Sequence, residues 1–317
     1  MMLQENMAQQ SRFSGAVVLL LLALVGPAAA QKINPAMKHY LGGLASYEKG
    51  DYRASVAAFE KAIQLQPAWA EAHYNIGLAH YKLAHYKDAV VAYGDALRLK
   101  ADLAEARFGL GNAYFKLGEF SAAVKAFQEV TRLRPEYADG FYNLGMSHNM
   151  LGQFSDAIDA FKQVVRVEPD GPEAIFQLGV AFCKAGRHAE ASQAFERVVD
   201  LDPRNADALS QLAGAYSNLG RFEQAIRVLE QLTRLPVDQA DVYSQIGCAY
   251  KNTGKYAEAV AAFKRSLELR RDDARVYFGL GVSLLYFGDR DAAIEQKNLL
   301  NKINPDLAAR LGFLIEK

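Results

Sequence analysis

Apolar, small and acidic positions recur along this chain with a step of 34 residues. The large apolar column reads Phe59, Tyr93, Phe127, Phe161, Phe195, Leu229 and Phe263, and breaks at Lys297. A small column precedes it: Ser55, Ala89, Ala123, Ala157, Ala191, Ala225, Ala259 and Ala293. Glycine falls at 43, 77, 111, 145, 179, 247 and 281, with Ala213 at the missing site. A second glycine column runs Gly50, Gly118, Gly152, Gly186, Gly220, Gly254 and Gly288, with Ala84 in the gap. Prolines stand at Pro67, Pro135, Pro169, Pro203 and Pro305. Such a period predicts a stack of two-helix units and an all-α chain.

Mid-helix glycine costs about 1 kcal/mol against alanine. A cost met in repeat after repeat predicts close approach of the partner helix at the first glycine column. The small column allows the same approach, and the large apolar column fills the space between neighbouring repeats. The second glycine column precedes each new apolar run, so it ends a helix in the left-handed conformation. Proline cannot continue a helix and ends the second one. Each helix spans about 13 residues, an ordinary length.

The stretch Ala104–Gly118, with Gly111, Tyr114 and Gly118, and its partner half, with Phe120, Ala123, Phe127, Val130, Leu133 and Pro135, resembles the tetratricopeptide repeat. The resemblance implies an all-α, right-handed α-solenoid of eight 34-residue helix-turn-helix repeats over 36–307. Their bounds are 36–69, 70–103, 104–137, 138–171, 172–205, 206–239, 240–273 and 274–307. Leu307, Leu311, Leu314 and Ile315 recur at helical spacing and predict a capping helix, whose C-terminal part is 308–317. No low-complexity linker interrupts the repeats, which predicts one elongated domain.

Residues 1–30 differ in kind. Arg12 precedes the apolar run Gly15–Val25, Gly26-Pro27 breaks it, and Ala28-Ala29-Ala30 offers a cleavage site before Gln31. This is the order of a secretory signal peptide, leaving 31–35 as a short lead-in. The run holds 11 residues, whereas a spanning helix needs about 20. The alternative is an uncleaved anchor over 13–30 that holds an assembly subunit at a membrane. With no cysteine after the run and no Asn-x-Ser/Thr sequon, the expected location is the bacterial periplasm or outside the cell, or the inner membrane if anchored. Membrane contact is expected only in that case.

Lys and Arg number 36, as do Asp and Glu. No positive excess is available for phosphates, which argues against nucleic-acid binding. Cys183 and Cys248 stand nearly two repeats apart, too far for a disulfide, and lack metal-ligand spacing. His73 and His80 share a helix face at a spacing of seven, but both occupy columns that elsewhere hold packing side chains. Glu71, Glu105, Asp139, Glu173, Asp207 and Asp241 each open a first helix, where an acid complements the dipole. No nucleophile–base order or phosphate loop emerges, so neither an enzyme nor a cofactor is expected.

In the tetratricopeptide family the first helices line the inner wall. The resemblance carries ligand-facing positions onto Tyr40, Leu44, Tyr47; Tyr74, Leu78, Tyr81; Phe108, Asn112, Phe115; Tyr142, Met146, Asn149; and Phe176, Val180, Cys183. A continuous apolar and aromatic wall predicts a peptide or protein partner along repeats one to five. These residues are expected to lie off the packing columns. Repeats six and seven turn to Ser210, Gly214, Ser217 and Ser244, Cys248, Lys251, and repeat eight returns to Phe278, Val282 and Leu285, where the cap is expected. The family's clamp for a C-terminal carboxylate is not expected. Asn112 and Asn143 are in place, but Phe108 and Asp139 stand where cations are needed.

Overall fold

A computed structural model describes residues 34–317. The predicted signal peptide lies outside the described residues. Among those described there are seventeen helices and no strand. They form eight pairs and one extra: α1 (Pro35–Glu48) with α2 (Tyr52–Leu65), α3 (Ala70–Lys82) with α4 (Tyr86–Leu99), α5 (Ala104–Lys116) with α6 (Phe120–Leu133), and α7 (Ala138–Met150) with α8 (Phe154–Val167). Then follow α9 (Pro172–Lys184) with α10 (His188–Leu201), α11 (Ala206–Asn218) with α12 (Phe222–Leu232), α13 (Gln239–Asn252) with α14 (Tyr256–Leu269), α15 (Ala274–Phe287) with α16 (Arg290–Ile303), and the single α17 (Pro305–Glu316).

The chain divides into two compact units, one ending at Pro169 and one beginning at Asp170. The division falls at Pro169-Asp170-Gly171-Pro172, which joins a helix breaker to a residue with no side chain. Four residues of turn do not register as a linker in composition. The first unit holds the pairs α1–α8, and the second holds α9–α16 with α17.

Within a repeat the helix turn follows one scheme. In α5 the amide of Gly118 bonds to the carbonyl of Phe115 at 3.1 Å, and that of Glu119 to Tyr114 at 2.9 Å. These paired bonds close the last turn and require a left-handed residue. Gly118 has φ +77, and the other members of its column share that region. Ala84 adopts φ 59 with a Cβ, the one non-glycine residue among those described to do so.

The core repeats equally regularly. Every member of the small column, Ser55 through Ala293, is fully buried, and so is each ring of the large column. A Cβ on Gly111 would lie 2.7 Å from the ring of Phe127, too close for any atom to occupy. The first glycine column therefore exists because the second helix lays a ring against it. Phe263 shows that the ring is also shared with the next repeat: it sits over Gly247 of its own pair and over Gly279 of the following one. Repeat six varies both partners together, with Ala213 where glycine stands and Leu229 where the ring stands, both buried in one cluster.

Repeat eight solves the same problem differently. Lys297 offers no ring, and Gly281 is covered instead by Leu311 of α17. Leu311, Ala308 and Ile315 of the cap are buried, and Leu314, Phe278 and Leu285 pack against the same cluster. The Lys297 stem passes over Gly312, where a Cβ would stand 3.2 Å from Cε. A long cationic side chain can bury its methylenes this way while its ammonium stays wet.

Candidate functional site

The first helices of neighbouring repeats meet on one side of each unit. In the first unit α3 touches α5 and α5 touches α7; in the second, α9 touches α11 and α13 touches α15. The predicted wall is therefore carried by α1, α3, α5 and α7 in the first unit. Phe176, Val180 and Cys183 lie on α9 of the second.

The wall residues form three rows with different surroundings. The first row is Tyr40, Tyr74, Phe108, Tyr142 and Phe176. Each ring packs on the large-column ring of its own repeat, with centroids 5.4, 5.9, 5.8, 5.7 and 5.6 Å apart. This corrects the expectation that the stripe stands clear of the packing columns. Phe108 is 6% exposed and wedged between Phe127 and Tyr137, and Leu78 is likewise buried. Both belong to the core and shape the wall from beneath. The cause is the glycine column: with the helices so close, a ring one turn away reaches the same partner ring.

The third row has no fully buried member. Tyr47, Tyr81 and Phe115 are half-buried and meet Tyr52, Tyr86 and Phe120 edge-on at 5.2, 5.3 and 5.2 Å. Each partner is the first residue of the second helix, so the helix turn fixes the ring's direction. Burial pushes the Tyr81 phenol up to about 12, with Tyr86 adding to it, so the hydroxyl stays neutral. In repeat four the row changes to Asn149, whose side-chain oxygen is buried and accepts no hydrogen bond.

Between them, Leu44, Asn112, Met146 and Val180 are half-buried. The Asn112 oxygen accepts from Asn143 Nδ2 at 3.1 Å, so the two asparagines engage one another. Asn75 likewise donates to the Tyr40 hydroxyl at 2.9 Å. A cavity of about 20 Å³, room for one water, lies between Tyr74, Phe108, Tyr137 and the ion pair of Arg134 with Glu105. At this place the wall carries a notch of the size of one water.

That ion pair belongs to a register the sequence reading missed. Three of the six acids opening first helices pair with a base just past the second helix of the same repeat: Glu71 with Lys100 at 3.6 Å, Glu105 with Arg134, and Asp241 with Arg270 at 2.8 Å. The acid-to-base spacing of 29 recurs in these three repeats, whereas the matching positions in repeats four to six hold Glu168, Asp202 and Pro236. The acids also sit in the first helical turns, as the dipole argument requires.

His73 and His80 do not converge. His73 Nε2 lies 3.2 Å from the Pro67 carbonyl, and His80 lies instead against His85. Both cysteines are free thiols, and burial raises the pKa of each. In the second unit Ser217 donates to the Ala213 carbonyl at 2.8 Å, so it faces its own helix backbone. Arg310 of the cap lies over the Phe278 ring at 5.3 Å, closing the wall of repeat eight.

No curated protein matches the chain by sequence. Among solved structures, the chain is similar to YrrB, described as a TPR protein with an unusual peptide-binding site, at 26% identity and TM-score 0.51 over 65% of this chain and 98% of that one. A MamA protein matches at 25% identity and TM-score 0.52, over 55% and 94%. The C-terminal part of a TPR repeat-containing protein from Cytophaga hutchinsonii shares the fold at 19% identity and TM-score 0.65, over 75% and 98%. Residues 3–274 match the family described as the cilia and flagella-associated protein 70 C-terminal domain. With glycine, ring and left-handed turn recurring at steps of 34 residues, and with a family match over most of its length, the chain belongs to that family of tetratricopeptide repeat proteins.

Proposed function

We propose that the chain is a non-enzymatic scaffold that holds an extended segment of a partner protein along the first helices of its first unit. The observation that carries this reading is the row Tyr47, Tyr81 and Phe115. These rings are half-buried, held edge-on by the next helix, and continued by an unpaired acceptor on Asn149. Rings fixed in advance lose little side-chain entropy on binding and present large contact area. The Asn149 oxygen suits a peptide N–H, which would relieve its burial without a partner. YrrB, with its peptide-binding site, supports a peptide as the ligand class. Balanced charge supports a contact that depends weakly on salt.

Photo-crosslinking from position 81 or 115, followed by mass spectrometry, identifies the partner. Against that partner, Tyr81→Ala and Phe115→Ala each weaken binding by about 1–2 kcal/mol, while Ser217→Ala and Ser244→Ala leave it unchanged. Both rings also pack within the repeats, so melting curves accompany each affinity. Normal affinity in a folded double variant removes the wall from consideration and turns attention to the second helices.

Residues 1–30 lead us to place the scaffold outside the cytoplasm. N-terminal sequencing of native protein then begins near Gln31; material that starts before residue 28 and stays with membranes favours the anchored alternative.

A further inference from the structure

The turn between α3 and α4 brings together side chains that neither the repeat core nor the wall uses. In a left-handed helix ending, the residues five apart on either side of the turn approach one another. Here they are His80 and His85, joined by the bond from the His85 amide to the His80 carbonyl at 2.9 Å. Asp88 stands in the first turn of α4, three residues beyond His85 and therefore on its side of the helix. The two imidazole rings are 6.0 Å apart, and His80, His85 and Asp88 each offer one ligand atom within 4.8 Å of the others.

His80 is the informative member. Its Nδ1 is buried and has no hydrogen-bond partner. A buried ring nitrogen left unpaired carries a desolvation cost that a ligand would remove. Repeat four supplies the control. There the same three positions are His148, Gln153 and Asp156, and the Gln153 oxygen lies 2.7 Å from His148 Nδ1. Glutamine satisfies the buried histidine; His85 leaves it open. Elsewhere the positions read, for example, Tyr114, Glu119 and Ala122, which make no ligand set.

We propose that His80, His85 and Asp88 bind one divalent first-row transition ion, with zinc the best suited and water in the fourth position. Two imidazoles and a carboxylate are a donor set for zinc, which accepts tetrahedral geometry at about 2.0–2.2 Å. His85 and Asp88 are exposed, so rotation of their side chains closes the ligand triangle while the backbone stays in place. Burial lowers the His80 pKa, which keeps the ring in the neutral form that ligates. Asp88 and, from the preceding repeat, Glu60 supply negative charge around it. The carboxyl end of α3 favours a cation and the amino end of α4 opposes it, so the carboxylates decide the balance. A bound ion would tie α3 to α4 across Ala84, the one turn of this series made without glycine.

The test uses the full chain with Cys183→Ser and Cys248→Ser, so that thiolates do not compete for metal. Calorimetric titration with zinc chloride should show one saturable site per chain, with a rise in Tm that EDTA reverses. Cobalt(II) in place of zinc should give the visible absorption of a tetrahedral site. His85→Gln copies the arrangement of repeat four and preserves the fold by circular dichroism. It should weaken zinc binding about 100-fold or more, since loss of an outer-shell partner alone costs 10–100-fold. Asp88→Asn should weaken it as well, while His148→Gln should not. Absence of a one-to-one site in the parent chain overturns the proposal, and so does zinc affinity that is unchanged in both His85→Gln and Asp88→Asn.

Discussion

Repeat three and repeat eight place an apolar group over the same backbone position, but they draw it from different distances in sequence. Over Gly111 the group is Phe127, sixteen residues away in the same helix pair; over Gly281 it is Leu311, thirty residues away in the cap. In the interior, Tyr93 and Phe263 each cover a glycine of their own repeat and one of the next. At the end no next repeat follows among the described residues, and Lys297 replaces the ring. The cap therefore does two jobs: it covers the last wall through Leu314 and Arg310 and completes the last core through Leu311. A repeat in this protein is half of a contact, and the cap is the other half of the last one.

Removing Asp306–Lys317 should have the largest effect. It uncovers Gly281, Phe278 and Leu285 at once, and loss of buried Leu311 alone is worth about 2–5 kcal/mol. Self-association or loss of soluble protein, followed by light scattering, is the expected result. An unchanged monomer would show that repeat eight completes its core without α17.

The second experiment places the same substitution at both sites. Gly111→Ala drives a methyl into the buried Phe127 ring, which has no room to turn, and should cost about 1–3 kcal/mol. Gly281→Ala meets chiefly a terminal methyl of Leu311, with Gln296 Cβ 3.4 Å away, and a leucine methyl yields more readily than the edge of a ring. Its cost should be the smaller of the two by chemical denaturation. Equal losses would mean that ring and leucine cover the glycine in the same way.

Repeat six tests the pairing without a cap. Leu229→Phe alone should destabilise by about 1 kcal/mol, because Ala213 stands where a ring needs glycine. Adding Ala213→Gly should recover most of that loss despite the helix propensity it gives up. If the double variant is no more stable than Leu229→Phe, the glycine and ring columns are independent.

Much of this was readable in the chain because a repeat tests each position eight times. Gly43 through Gly281 could be assigned to close helix approach, and Gly118 to a left-handed ending, since a residue that costs helix stability recurs only where geometry requires it. The wall was harder. Phe108 lies on the face where a partner was expected, but ring-to-ring contact through the glycine-thinned interface takes it inward. Phe115, two turns along, and its counterpart Tyr81 stay half-buried. Helical spacing gives a residue's direction around its own helix and not the distance to the next one. The histidines show the same limit: a spacing of seven joins His73 to His80 on paper, whereas the turn joins His80 to His85.

The sequence by itself determined the element type, the helix lengths, the turn chemistry and the buried columns. Each of these depends on local backbone preference or on contacts within one 34-residue step. Tertiary structure decided which wall rings are core, that Leu311 stands in for the missing ring, that three acids pair with bases at a spacing of 29, and that the chain divides after Pro169. Those outcomes depend on the separation of helix axes and on side chains meeting across repeats. No single repeat encodes either, because both arise only when one helix pair packs on another.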